Sequence, residues 1–226
     1  MAGFAELRLE RLHVALLALV ERYTPAEIAP ICDAMATPYK VARKARLAPL
    51  ETCVIYGAAG GVGIHMLDVV KLAGARVIAV DRGKTKLDAL VKLGAHEVID
   101  AAKADVPAEV MRLTGGLGAD VVADYVGSAE TLRKGLACLG KGGRLVIVGL
   151  TANATHSYSA ALVMRNEQEI LGSRGFNRQE IIDCLELSAR GLLRPVVNHV
   201  LPLEQANAAH AMVASEENIG RVVLTM

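Results

Sequence analysis

Short apolar runs alternate along this chain with longer segments of helical period. Thr52 to Tyr56 (TCVIY) is a continuous apolar run of strand length. The glycine-rich stretch Gly57 to Gly63 follows it. Val62, Met66, Val69, Val70 and Ala73 then fall on one helical face, and Gly74 ends that helix. The cycle repeats with strand Arg76 to Val80, closed by Asp81, and a helix from Lys84 to Leu93. Strand Glu97 to Ile99 comes next, then a helix around Ala108 to Leu113 and strand Asp120 to Asp124. Helix Ala129 to Leu139 leads through Lys141-Gly142-Gly143 to strand Arg144 to Val148. A helix around Tyr158 to Asn166 precedes strand Glu169 to Leu171. Six strands joined by helical crossovers predict an α/β fold with a doubly wound, six-stranded parallel sheet, a Rossmann arrangement.

The ends follow other patterns. Phe4 to Leu19 shows no clean helical or strand period, while Thr24-Pro25-Ala26-Glu27 reads as a capping box that starts a helix. After a helix Gln179 to Arg190, the stretch Pro195 to Val200 reads as a strand, Leu203 to Val213 as a helix and Arg221 to Thr225 as a last strand. These terminal pieces lie outside the six-stranded unit, so apolar surface such as Val14 to Val20 is expected to need a partner, and a homo-oligomer is expected. The organisation expected is a dinucleotide-binding domain over residues 35–172, with 1–34 and 173–226 as segments of a second, catalytic domain.

Composition narrows the function. The 226 residues carry 25 Lys and Arg against 24 Asp and Glu, a net charge of +1. With only 3% aromatic residues, the chain lacks both the basic patch and the stacking platforms of a nucleic-acid binder. The run Val14 to Val20 is too short to span a bilayer. Glu6 and Glu10 precede it and Glu21-Arg22 follows it, a pattern unlike a secretory signal. The four cysteines form no CxxC pair, as expected of free thiols in a cytoplasmic protein.

The chemistry begins at Ala58-Ala59-Gly60-Gly61-Val62-Gly63, a G-x-G-x-x-G loop with alanine in the first slot, set between a strand and a helix. Gly60 lets backbone approach a pyrophosphate, Gly63 permits close packing of helix on strand, and the helix start offers amides to the phosphates. Asp81 lies twenty-one residues past Gly60 at a strand end, where a carboxylate accepts from the adenosine ribose diol and repels a 2′-phosphate. NAD is therefore favoured over NADP, although Arg82 and Lys84 are near enough in sequence to serve a 2′-phosphate.

Over Gly3 to Met226 the chain resembles the medium-chain dehydrogenases/reductases, the alcohol dehydrogenase superfamily. The resemblance rests on Cys32-Asp33-Ala34-Met35-Ala36-Thr37-Pro38-Tyr39, the glycine loop, Gly94-Ala95, Gly118-Ala119-Asp120, Asp124-Tyr125-Val126-Gly127, Gly142-Gly143-Arg144, Val148-Gly149-Leu150, Leu171-Gly172-Ser173 and Gly220-Arg221-Val222-Val223. The loop variant is similar to the quinone- and enoyl-reductase branch; the Cys32 to Tyr39 segment is similar to the zinc-dependent branch. The resemblance implies that Gly61 and Val62 contact the pyrophosphate, that Asp81 and Lys86 hold the adenosine ribose, and that Val126 and Gly127 lie along the cofactor. It implies backbone contacts from Val148, Gly149 and Leu150 to the nicotinamide amide. Thr37 would touch the nicotinamide ring, Arg221 would reach the pyrophosphate, and Asp33 matches the third ligand of a catalytic zinc. The family's other two ligands come from an N-terminal GroES-like domain and have no counterpart in this sequence, and one carboxylate does not hold a zinc. The function expected is NAD-dependent hydride transfer between a small alcohol and a carbonyl compound. Alternatives are a zinc-independent NADPH quinone or enoyl reductase, or an inactive NAD(H)-binding module.

Overall fold

The computed structural model describes the backbone over residues 2–226 and the side chains from Leu12 onward. Six parallel strands, β1 (Thr52–Tyr56), β2 (Arg76–Asp81), β3 (Glu97–Asp100), β4 (Ala119–Asp124), β5 (Leu139–Ile147) and β6 (Glu169–Gly172), form one sheet in the order β3-β2-β1-β4-β5-β6. This is the doubly wound arrangement expected from the alternation.

The strands are apolar throughout because both faces are covered, and successive side chains divide between two cores. Cys53, Ile55, Val77 and Ala79 point to one core, beneath α3 (Ala36–Lys44), α4 (Gly63–Leu72) and α5 (Lys84–Lys92). Val54, Tyr56, Ile78 and Val80 point to the other, beneath α6 (Val106–Leu113) and α7 (Ala129–Cys138). β5 starts five residues earlier than expected. Its Lys141-Gly142-Gly143 stretch, with Gly142 at φ +68°, forms a bulge, and the strand pairs on both sides of it, Leu139 with Ala119 and Arg144 with Val121.

The N-terminus departs most from expectation. Ala2–Arg22 is a continuous helix, α1, where no period had been apparent. Ala15 and Leu19 are buried against α9 (Arg178–Ala189), but Val14, Leu17 and Val20 are apolar on the exposed side. A helix apolar on two faces carries no readable amphipathic stripe. The capping box is formed, with Thr24 and Glu27 bonded reciprocally, but the helix it starts, α2 (Pro25–Ile28), lasts one turn before a 3-10 turn at Ala29–Cys32. Leu19, Ile31, Cys184 and Leu193, all from the terminal segments, are buried in the first core.

The short helix α8 (Ala160–Arg165) precedes β6. At the C-terminus β7 (Val197–Pro202) and β8 (Arg221–Thr225) form a separate parallel pair, with a 3-10 turn and α10 (Ala206–Ala214) between them. Among the described residues no helix is long and apolar enough to cross a membrane.

Candidate functional site

β1 and β4 are neighbours in the sheet, and the chain leaves them in opposite directions. A crevice opens at their C-terminal ends, the usual place for a ligand in such sheets. The glycine loop forms one wall. Gly63 is the first residue of α4, and a Cβ there would stand 2.2 Å from the Gly57 carbonyl oxygen. Only glycine lets the helix start this close to the strand end, so its outermost amides face the crevice.

Asp81 ends β2, and its side chain is only 8% exposed. Its Oδ2 accepts from the Ala59 amide at 2.8 Å, and its Oδ1 accepts from the Arg82 amide at 2.8 Å and the Lys86 ammonium at 3.3 Å. The carboxylate thus braces the glycine loop and walls the crevice. Arg82 extends over the rim to Glu216, Nη2 to Oε2 2.6 Å. The crevice encloses about 700 Å³ and is lined by Gly60, Gly61, Val62, Asp81, Arg82 and Lys86 on one side. Tyr125, Val126, Thr131 and Arg221 line the other.

The second wall is built on Asp124, fully buried at the end of β4. Its Oδ1 accepts from the amides of Val126 at 2.9 Å and Gly127 at 3.0 Å, and its Oδ2 accepts from Thr131 Oγ1 at 2.8 Å. Ser128 and Thr131 cap α7 reciprocally, which ties the helix start to the same knot. The Asp124 carbonyl accepts from the amides of Val148 and Gly149, each at 2.9 Å. A Cβ on Gly127 would lie 2.1 Å from the Gly149 carbonyl oxygen, so the loops after β4 and β5 touch backbone to backbone. Sequence reasoning passed over Asp124 as an anchor. Its only local signal was an acidic residue ending a strand just before a glycine.

The C-terminal pair β7–β8 is stitched to the glycine loop. Gly220 N–H donates to the Ala59 carbonyl at 2.9 Å, and Arg221 N–H to the Val196 carbonyl at 3.0 Å. Val196 N–H donates to Nε2 of His65 at 3.0 Å. His65 is buried on α4, 2% exposed. Burial first, and then the nearby Arg221 charge, push its pKa down to about 4. Nε2 is therefore unprotonated near neutrality and free to accept.

In the folded chain His65 does not take up its second ring proton until about pH 4, whereas the unfolded chain takes it up near 6.5. The unfolded state binds more protons between these values, so this contribution is full above 6.5 and is lost as pH falls toward 4. We expect it to be worth about 3 kcal/mol. Denaturant unfolding at several pH values would show it, and His65→Gln, which can accept from Val196 without titrating, should flatten that part of the profile. An unchanged slope in the variant would refute the assignment.

Arg221 crosses the glycine loop to a second, smaller cleft. A Cβ on Gly61 would come within 3.0 Å of its Cδ, and its Nη2 meets Asp33 Oδ2 at 2.5 Å. That cleft, about 240 Å³, is lined by Asp33, Thr37, Val62, Tyr125, Val148, Gly149, Arg174 and Gly175. Thr37 is buried near the start of α3, with Oγ1 3.5 Å from Asp33 Oδ1. Among the residues singled out from sequence, Gly63 and Gly127 shape the loops, while Leu150 is 94% exposed and lines neither cleft.

The sequence profile of zinc-binding dehydrogenases matches residues 61–190, more than half of the chain. The chain belongs to the zinc-binding dehydrogenase family. It is 35% identical to an NAD-dependent alcohol dehydrogenase of Sulfurisphaera tokodaii, over 94% of this chain and 61% of that protein. It is 34% identical to an acryloyl-coenzyme A reductase of Metallosphaera sedula, over 83% and 54%. The crystal structure of an alcohol dehydrogenase from the archaeon Aeropyrum pernix superposes with a TM-score of 0.81 at 33% identity, over 88% of this chain and 58% of that one. The chain thus spans about 61% of the length of the first of these relatives.

The residues this member of the family presents fit a nicotinamide dinucleotide better than a metal. The crevice joins a helix start, the carboxylate at the end of β2 and a cation at one opening. Among the described residues, no three His, Cys, Asp or Glu side chains stand close enough to share a metal ion. Asp33 is instead the counter-ion of Arg221. The donors among the described residues do not fit a catalytic zinc.

Proposed function

We propose that this chain is the cofactor-binding part of an NAD-dependent oxidoreductase that moves hydride between a small alcohol and a carbonyl compound. The observation that carries it is the buried Asp81 carboxylate, braced against the glycine loop inside the crevice. In this reading the pyrophosphate lies on Gly60, Gly61, Val62 and Gly63 at the start of α4, with Arg221 as its positive neighbour. Asp81 accepts from the adenosine ribose diol, and Lys86 holds that carboxylate in place. Val126 and Gly127 form the wall along the cofactor. Because the amides of Val148 and Gly149 are spent on Asp124, the carbonyls of this segment are what they offer a carboxamide, with Leu150 beyond them. Thr37 faces the ring at the second cleft. When bound, the nicotinamide supplies the carbon that takes or gives hydride.

Fluorescence titration tests the reading. NADH should bind at least about 10-fold more tightly than NADPH, because a 2′-phosphate beside Asp81 is repelled. Asp81→Asn should shrink that ratio toward one. Equal affinities in the parent chain would sink the NAD assignment, and no binding of either would sink the dinucleotide reading. Reduction of an activated double bond is the second reading, favoured by the likeness to the acryloyl-coenzyme A reductase and by the loop variant.

A further inference from the structure

The second cleft carries one charge without an ionic partner among the described residues, that of the solvent-exposed Arg174. Asp33 is neutralised by Arg221, and the remaining lining, Thr37, Val62, Tyr125, Val148, Gly149 and Gly175, is uncharged. Arg174 completes the wall, and among the described residues no carboxylate lies within ion-pair distance of it.

Its surroundings sharpen the contrast. On the outer side of α3 and just beyond it, Arg43 pairs with Asp183 at 3.8 Å and Arg46 pairs with Glu169. Lys40 and Lys44 have no such partners. Lys40 Nζ donates to the Arg174 carbonyl at 3.0 Å, and Lys44 Nζ donates to the Gly172 carbonyl. Two ammonium groups therefore fix the segment that carries a third cation, in a chain whose net charge is only +1. Lys40 also lies one turn beyond Thr37 on α3. The Lys40–Arg174 bond thus ties Arg174 to the helix that carries the Thr37 hydroxyl.

We propose that the second cleft takes substrates bearing an anionic group, a carboxylate or a phosphate, and that Arg174 binds that group. Lys40 acts as its positioning residue. The inference rests on the proposed function for the identity of the cleft, and it adds the substrate class. A guanidinium suits the task because its planar fork matches two oxygens at once. The neighbouring ammonium groups raise the local positive potential and draw anions toward the opening. The uncharged lining would face the carbon chain of the substrate.

The test compares butyrate and butyl phosphate with the neutral isostere butyramide, on the full chain with and without NADH. Dissociation constants come from NMR titration, with the backbone amide resonance of Gly175, which lines the cleft and is kept in every variant, as reporter. Either anion should bind at least about 10-fold more tightly than butyramide. The two anions distinguish a carboxylate from a phosphate substrate. Arg174→Gln should bring all three within about 2-fold, and Arg174→Lys should restore part of the preference. Arg112→Gln, a paired surface cation on α6, should leave it intact. Equal binding of anion and amide, absence of binding by every probe, or a preference that survives Arg174→Gln would each overturn the proposal. NADH titration of the same samples reports separately on the dinucleotide reading.

Discussion

Replacing Gly63 with alanine should cost about 2 kcal/mol of stability and at least about 30-fold in dinucleotide affinity. The added methyl would sit 2.2 Å from the Gly57 carbonyl oxygen, 3.0 Å from its carbon and 3.2 Å from Ala58 Cα. All three are backbone atoms, so no side chain can rotate away. Relief comes only by moving the start of α4 off the end of β1. That same movement carries the outermost helix amides away from the crevice and strains the bond between Asp81 and Ala59. Gly172→Ala is the control, because a Cβ there meets nothing within 4 Å. NADH titration and denaturant unfolding on both variants would check this. A Gly63→Ala chain that matches the parent in both would show that the loop does not need the close approach.

Asp124→Ala should be more damaging still to stability, by about 3 kcal/mol or more. The carboxylate is fully buried and serves three donors, the amides of Val126 and Gly127 and the hydroxyl of Thr131. Removing it leaves those donors facing a void that alanine cannot fill. The loss should spread to the wall of the crevice, since the α7 cap and the contact between Gly127 and Gly149 hang on the same knot. Asp124→Asn keeps one acceptor and should recover part of the loss. Denaturation midpoints would rank the parent above Asn and Asn above Ala. An alanine variant within 1 kcal/mol of the parent would contradict the role.

The strands and the glycine loop were readable because their signals are short-range. β1 and β8 coincide with the runs Thr52 to Tyr56 and Arg221 to Thr225, and the other core strands differ mainly at their ends. The loop is legible for the same reason: a strand, a tight turn and a helix start adjoin within a dozen residues. Where the pattern misled, local residues were outweighed. The glycines at 142 and 143 look like a turn, but they form a bulge with β4 pairing on both sides of it, so β5 runs through them. α1 was obscured because exposed Val14, Leu17 and Val20 fill the side a helical stripe would leave polar.

The sequence by itself determined the parallel sheet, the glycine loop and the carboxylate at the end of β2. Periodicity and turn chemistry act over a few residues, and the right-handed crossover leaves little freedom in joining them. Only the tertiary structure decided the parts that join distant segments. His65 meets Val196, 131 positions away, and Arg221 meets Asp33, 188 positions away. Arg174 is fixed to α3 by Lys40 across 134 positions. Such bonds depend on burial and on which side chains remain unpaired once the core has closed, and neither quantity exists along a linear chain.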